Sequence, residues 1–390
     1  MNSTISGSST PTSTLQKRLR IAWRAVRADR LLQILLLALV VLTFISGKPV
    51  SSFAGLVDWP TIAALAGLLA LTKGLELSGG LAWLGHRLIA TMAIERRAAL
   101  VLVLASTLLS TVLTNDVALF VVVPLTLGVC KLTGMAAARL IVFEALAVNA
   151  GSMLTPIGNP QNLFLWQLAH VPFGQFILHM LPLALILTLL LLALTAFSFP
   201  ARKITLADDA AHGKLDRRLL WASLGLYIPF LVATDMHQAG WALLAVLVLM
   251  ALLRPAVLAR LDWGLLLVFV LMFIDLRLVA GLPSIKTAMV QLGLEQPAHL
   301  YFAGIAASQV ISNVPAAIAL AAYSQDWKVI AYAVSVGGFG TAVGSLANLI
   351  ALRMVKEGRA WALFHLYAVP SLLVATGIGY ALLFLAGVAG

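Results

Sequence analysis

Four short segments carry most of the polar chemistry of an otherwise apolar chain, and they fall into two pairs. The first pair reads LTNDVALFVVVP over 113–124 and NAGSMLTPIGNPQNLFLW over 149–166; the second reads ISNVPAAIAL over 311–320 and GGFGTAVGSLANLIAL over 337–352. Asn115 lies 43 residues before Gly158 and Asn313 lies 31 before Gly344, so the pairs are diverged copies with different spacers. Amides, hydroxyls and glycine backbone suit reversible binding of small solutes and ions. Asp116 is the single carboxylate in the four motifs. A polar interruption that occurs twice inside an apolar chain is the sequence mark of a secondary transporter.

At the first tip, Asn115 and Asp116 stand where a half-helix would begin, as N-cap residues do. The half-helix start offers free N–H groups and a positive dipole end to an anionic or polar ligand. Pro156 and Pro160 have no N–H to give the carbonyls of Ser152 and Pro156, so a candidate Na+ site is expected at Asn115, Ser152 and Pro156. Gly151 and Gly158 permit close backbone approach. Asn149, Thr155, Asn159, Gln161 and Asn162 add uncharged donors and acceptors. In the second copy Gly337, Gly338, Gly340 and Gly344 replace the prolines as helix weakeners, and Thr341, Ser345 and Asn348 keep hydroxyls and an amide at matching places. Ser312 and Asn313 match Thr114 and Asn115, whereas Asp116 is matched by Val314, so the half-sites differ in charge. The bland alternative is tight packing, the commoner use of small residues in membrane helices. Buried amides and a carboxylate at membrane depth are costly and point to function.

The elements that must position these residues are membrane helices. With 61% hydrophobic and 11% charged residues over 390 positions, the chain lacks the polar surface of a soluble globule. Its apolar runs imply roughly ten crossings or re-entrant pairs at ~20 residues each. The net charge of +11 does not indicate nucleic acid. Of the 26 Lys and Arg residues, 21 fall in six clusters that the positive-inside rule places on the cytoplasmic face.

Arg96, Arg97 and Lys131 bracket the run 98–130, which therefore goes in and returns. Its halves, 98–113 and 117–130, reach only ~24 and ~21 Å, which predicts a re-entrant hairpin with its tip at Thr114, Asn115 and Asp116. Carrying the alternation onward brings the second hairpin, with its tip at Ser312 to Pro315, in from the opposite face. The expected fold is an all-α polytopic membrane protein of two inverted repeats, each with a re-entrant hairpin and a broken transmembrane helix. Its expected parts are a cytoplasmic N-terminal tail over 1–30, a first half over 31–200, a cytoplasmic linker over 201–218 and a second half over 219–390.

Other polar residues read more plainly. Cys130 is the single cysteine and excludes an internal disulfide. Glu144 is expected near a cytoplasmic interface, in a structural role. Asp275 and Arg277 are expected to pair with Lys73 or Glu76 across the repeat. The histidines show no metal-ligand spacing, and His86, His170 and His179 are expected near interfaces. No HExxH motif or paired-aspartate arrangement is present, and Ser345 has no evident His partner, which argues against an intramembrane enzyme.

The four motifs resemble those of the ion transporter superfamily, in the branch that holds citrate and dicarboxylate permeases, arsenite permeases and sodium/proton antiporters. TND at Thr114 to Asp116 looks like that family's first hairpin tip and TPIGNPQN at Thr155 to Asn162 its first broken helix. SNVP at Ser312 to Pro315 looks like the second tip and GSLAN at Gly344 to Asn348 the second broken helix. Dicarboxylate carriers show Ser-Asn-Thr at both tips, where this chain has TND and SNV. The resemblance implies scaffold and mobile transport regions, elevator-like movement and a homodimer. The expected function is secondary transport of a small inorganic or organic anion or oxyanion across a bacterial-type inner membrane, multi-pass with a cytoplasmic N-terminus. It would be coupled to H+ or Na+, with no resident cofactor and no nucleic-acid partner. Arsenite or antimonite efflux and Na+/H+ antiport are the alternatives within the class.

Overall fold

The structure, a computed structural model, describes residues 30–81, 83 and 84, 93–204, 215–355 and 358–386. Most of the expected N-terminal tail, His86 and the centre of the expected linker lie outside the described residues. The protein is an all-α polytopic membrane protein, and no strand occurs among the described residues; a single antiparallel bridge joins Ile94 to Lys203. Four helices in this set are long and apolar enough to cross a membrane unaided: Trp59–Leu77, Phe173–Ser198, Trp263–Ala280 and Ala360–Leu385.

The chain divides into two compact units. In the smaller, formed by the described part of 1–57 with Asp262–Leu282, helix α1 (Arg30–Ser46) packs against a helix over Trp263–Ala280. A 3-10 turn over Val50–Leu56 follows α1 at a bend of 114°. Arg277 donates from Nη1 to the Leu56 carbonyl at 2.9 Å. In the larger unit Lys73 pairs with Glu76 on its own helix, α2 (Trp59–Leu77), at 2.5 Å. Lys73 thus finds a carboxylate one helical turn away within its own unit.

The larger unit, Asp58–Leu261 with Pro283–Gly390, holds all four motifs. Helix α3 (Glu95–Val112) turns at Leu113 and Thr114 into α4 (Asn115–Thr133). Helix α5 (Ala137–Ser152) breaks over 153–159 before α6 (Pro160–Ala169), and the long α7 (Phe173–Ser198) follows. After α8 (Arg217–Asp235), α9 (Ala239–Leu253), α10 (Trp263–Ala280, in the smaller unit) and α11 (Pro283–Gln291), the pattern returns. Helix α12 (Pro297–Ile311) turns at Ser312 into α13 (Asn313–Leu320). Helix α14 (Trp327–Gly337) breaks over 338–345 before α15 (Leu346–Val355), and α16 (Ala360–Tyr380) closes the order. Helices α3 and α4 run to 18 and 19 residues, longer than the apolar halves expected from sequence, because both extend through the flanking charged residues.

The two helix sets pack in the same way. As α3 and α4 pack on each other and on α5, so do α12 and α13 on each other and on α14. Helix α15 lies on α4 and α5, and its counterpart α6 lies on α13 and α14. The broken helices form the core: α5 is buried from Leu140 to Ser152 and α14 from Val329 to Gly337. Helices α7 and α16 present Leu178, Leu189, Phe197, Leu366 and Leu373 outward, as helices facing lipid do.

Two glycines set the spacing. A Cβ on Gly151 would lie 2.0 Å from the Thr107 carbonyl oxygen, and one on Gly337 would lie 2.4 Å from Ser308 Cβ. Gly128 and Gly174 have nothing within 4 Å of an added Cβ. We expect Gly151→Ala to destabilise the protein by about 1–3 kcal/mol, the usual cost of overpacking. Gly128→Ala should leave the melting temperature unchanged or slightly raised. Thermal unfolding of the detergent-purified variants checks this, and equal melting temperatures for the two would refute it.

Candidate functional site

The breaks in α5 and α14 free backbone groups inside apolar protein, where each must find a partner or cost several kcal/mol. Side-chain amides supply most of those partners. In the first copy Asn159 caps α6, its Oδ1 accepting from Asn162 N at 2.9 Å, with Pro160 at the first helical position. Asn159 Nδ2 reaches back to the Ser152 carbonyl at 3.1 Å and its hydroxyl at 3.2 Å. Asn162 Nδ2 faces the carbonyls of Met153 (3.0 Å), Thr155 (3.2 Å) and Ser152 (3.4 Å). The Ser152 oxygen, expected from sequence to be open to a cation, is thus occupied by two amides.

The second copy repeats part of this, positions 337–348 matching 151–162 in spacing, with Ser345 in the place of Asn159. Asn348 Nδ2 donates to the carbonyls of Gly338 (2.9 Å) and Thr341 (3.3 Å), the counterparts of Ser152 and Thr155. Backbone turns match as well. Gly158 N reaches Thr155 O at 3.4 Å and Gly344 N reaches Thr341 O at 2.9 Å; Leu154 N reaches Gly151 O at 3.1 Å and Gly340 N reaches Gly337 O at 3.3 Å.

A cross-link joins the copies. Asn149, in the last turn of α5, donates from Nδ2 to Asn348 Oδ1 at 2.8 Å and to the Gly338 carbonyl at 3.1 Å. All three residues are buried.

The hairpin tips close on these breaks. Asn115 N donates to the Gly158 carbonyl at 2.8 Å, and Thr155 Oγ1 donates to the Thr111 carbonyl at 2.6 Å. Thr114, not Asn115, takes the cap position of α4; Asn115 is the first helical residue and accepts Asp116 N on its Oδ1 at 3.0 Å. Asp116 is half-buried in that first turn. The second tip is built differently, since Ser312 adopts φ 72°, ψ 158°, a region that costs a residue with a side chain about 1–3 kcal/mol. Its hydroxyl lies 3.4 Å from Asn313 Oδ1.

Gln309 completes the second site and escaped the sequence reading. Its Nε2 donates to the Gly337 carbonyl at 2.8 Å, and its Oε1 accepts Thr341 N at 2.7 Å. The available signal was its place one helical turn before Asn313 in an apolar run. Glu144 also departs from expectation. It is fully buried on α5, where the Thr126 hydroxyl of α4 donates to its Oε1 and Oε2 has no hydrogen-bond partner.

Ser345, buried at the start of α15, has no partner for its hydroxyl, and the same holds for Ser335 Oγ and the amide oxygens of Gln161 and Asn162. A cavity of about 920 Å³ opens away from the tips, lined by Lys131, Arg139 and Arg359 with Leu127, Leu363 and Leu366. Among the described residues that line it are three cations and no acid.

Residues 21–337 match the model of the family described as Citrate transporter. The chain belongs to that family. It is therefore a membrane transporter. Among relatives, inner membrane protein YbiR of Escherichia coli is 46% identical over 360 residues, covering 92% of this chain and 97% of its own. The uncharacterized transporter MJ0456 of Methanocaldococcus jannaschii is 30% identical, covering 78% of this chain and 84% of its own. The magnetosome protein MamN of Paramagnetospirillum magneticum is 32% identical over 203 residues, which are 49% of this chain and 46% of its own.

The amide network carries a direct prediction for this family member. Asn162→Ala removes the amide donor from Met153 and Thr155 together, while Ser152 keeps Asn159. At about 1–3 kcal/mol for each buried group left unpaired, it should lower the melting temperature well below that of Thr111→Val, whose exposed hydroxyl bonds only within its own helix. Equal melting temperatures would show that the break does not depend on the amide.

Proposed function

We propose that the protein is a secondary active transporter that moves a small anion or oxyanion across the inner membrane, coupled to H+ or Na+. The substrate would lie between the two hairpin tips and the two broken helices, and access would alternate by an elevator-like movement within a homodimer. A tricarboxylate such as citrate is the first substrate to test, because the family's description names it. The inner membrane is the compartment named for the E. coli relative.

The observation that carries this proposal is the duplicated amide network. A fold that needed only scaffolding would continue α5 and α14 as helices, with no buried carbonyls to satisfy. Here two breaks are kept and each is rebuilt by side chains, which is how transporters form a midplane site. Helices α4, α6, α13 and α15 begin at the tips and breaks, and their N-termini suit an anion. The cations Lys131, Arg139 and Arg359 would concentrate anions at the mouth of their cavity.

The test is uptake of radiolabelled citrate into proteoliposomes with a pH or a Na+ gradient imposed separately. Asn115→Ala and Asn313→Ala should each lower uptake by about tenfold or more, the worth of one lost hydrogen bond of ~1.4 kcal/mol, while elution and melting stay near wild type. Wild-type uptake by both variants would remove the tips from the site. Asp116→Asn should retain substrate exchange and lose gradient-driven accumulation. If accumulation persists, Asp116 is not the coupling carboxylate. No uptake of citrate, with uptake of arsenite or another oxyanion instead, would move the substrate and leave the site in place.

Orientation has its own test. In a Cys130→Ser background, Gly55→Cys and Gln175→Cys should react with an impermeant thiol reagent on intact cells, and Asp209→Cys should not. The reverse pattern would put the N-terminus outside.

A further inference from the structure

The cavity lined by Lys131, Arg139 and Arg359 lies at the ends of α4 and α5 that are far from the first tip and break, beside the start of α16. Its positive charge is unspent. Among the described residues, none of these three cations makes an ion pair. Arg139 is held in place, its Nη1 donating to the Ser198 carbonyl at 3.2 Å and its guanidinium carbon 6.0 Å from the centre of the Phe199 ring. Neither α5 nor α16 has an acidic residue in its first turn or a hydrogen-bonding side chain at its cap. Two helix starts therefore add partial positive charge beside the cations.

Charge and apolar wall are layered along the helices. Lys131 stands in the last turn of α4 and Arg359 immediately before α16, both exposed. Leu127 lies four residues before Lys131 and Leu363 four after Arg359, each ~6 Å deeper along its helix; Leu366 is ~10 Å deeper. Trp361, 45% exposed, stands beside Arg359, as aromatic side chains do at the level of lipid headgroups. Helix α16 is long and apolar enough to cross the membrane and turns Leu366 outward.

A cationic rim above a leucine wall that opens on lipid fits an amphiphile. At about 920 Å³ the cavity is near the top of the ~300–1,000 Å³ range of small-molecule pockets. A free phosphate or small carboxylate would meet the rim and leave the wall to water, which apolar surface avoids. A second copy meeting it patch to patch would set cations against cations.

We propose that this cavity binds one anionic glycerophospholipid of the surrounding leaflet, its phosphate at Lys131, Arg139 and Arg359 and an acyl chain along Leu127, Leu363 and Leu366. Basic pockets between membrane helices bind such headgroups. One phosphodiester carries a single negative charge, so the cluster stays net positive and still gathers anions from solution. This binding does not rest on the transport function proposed above.

The full-length protein, delipidated in detergent, is titrated with dioleoyl phosphatidylglycerol while thermal unfolding is followed, and native mass spectrometry counts the lipid retained. Dioleoyl phosphatidylcholine and soluble glycerol 3-phosphate are the controls. We expect a saturable rise of a few °C and one retained lipid per chain with phosphatidylglycerol alone, since a ligand of the folded state stabilises it by mass action. Lys131→Gln combined with Arg359→Gln, both at exposed positions, should weaken the apparent affinity by about tenfold or more. Arg260→Gln, exposed and outside the cavity, should leave it unchanged. An equal response to phosphatidylcholine would mean that charge does not select the occupant, and an equal response to glycerol 3-phosphate would assign the rim to soluble anions; either overturns the proposal. A full response in the double variant overturns it as well, and a change in oligomeric state there would give the face to a second copy. The wild-type comparisons decide the matter even if the double variant fails to fold.

Discussion

An unpaired backbone carbonyl in apolar surroundings is the constraint around which the larger unit is built. Helices satisfy their own backbone, so each break in α5 and α14 creates a debt that water cannot reach. Asn162 and Asn348 answer much of it with a single side chain each, a planar amide whose hydrogens reach carbonyls two or three residues apart in the break. Everything nearby follows from that choice. The break keeps one shape, Gly151 and Gly337 let the hairpin helices come close enough to buttress it, and the tips dock on it through Asn115 and Gln309.

The same constraint explains why the copies diverged where they did. Residues that bond the break, namely Asn162 and Asn348 with the glycines beside them, are held in common. Residues at the tips differ in charge and in backbone. The first tip uses an ordinary extended Thr114 and carries Asp116, whereas the second holds Ser312 at φ 72° and has Val314 in the place of the carboxylate. Two breaks bonded in a similar way thus carry tips of unequal chemistry. The unequal pair Asn149 and Ser335 extends the asymmetry into the core, where α5 is tied across to α15 and α14 is not tied to α6 by the matching bond.

Burial also redefines Glu144. Five residues after Arg139, it reads in sequence as an interfacial residue, but helix α5 is enclosed on every side and carries it inward to the Thr126 hydroxyl. Sequence distance from a basic cluster bears on position along a helix, not on how much protein surrounds a residue there.

The membrane class, the helical breaks, the two copies and nearly all the residues that line them are legible in the sequence, because each rests on local chemistry. Apolar runs need a bilayer, prolines and glycines weaken a helix where they stand, and amides in apolar runs need a reason. What the sequence could not give is who bonds whom. The proline-freed Ser152 carbonyl looks open until Asn159 and Asn162 fold back on it, and Gln309 looks incidental until α12 is laid against α14. A side chain's type fixes how many hydrogen bonds it must make, but only the packing of helices far apart in sequence decides which acceptors lie within 3 Å of it.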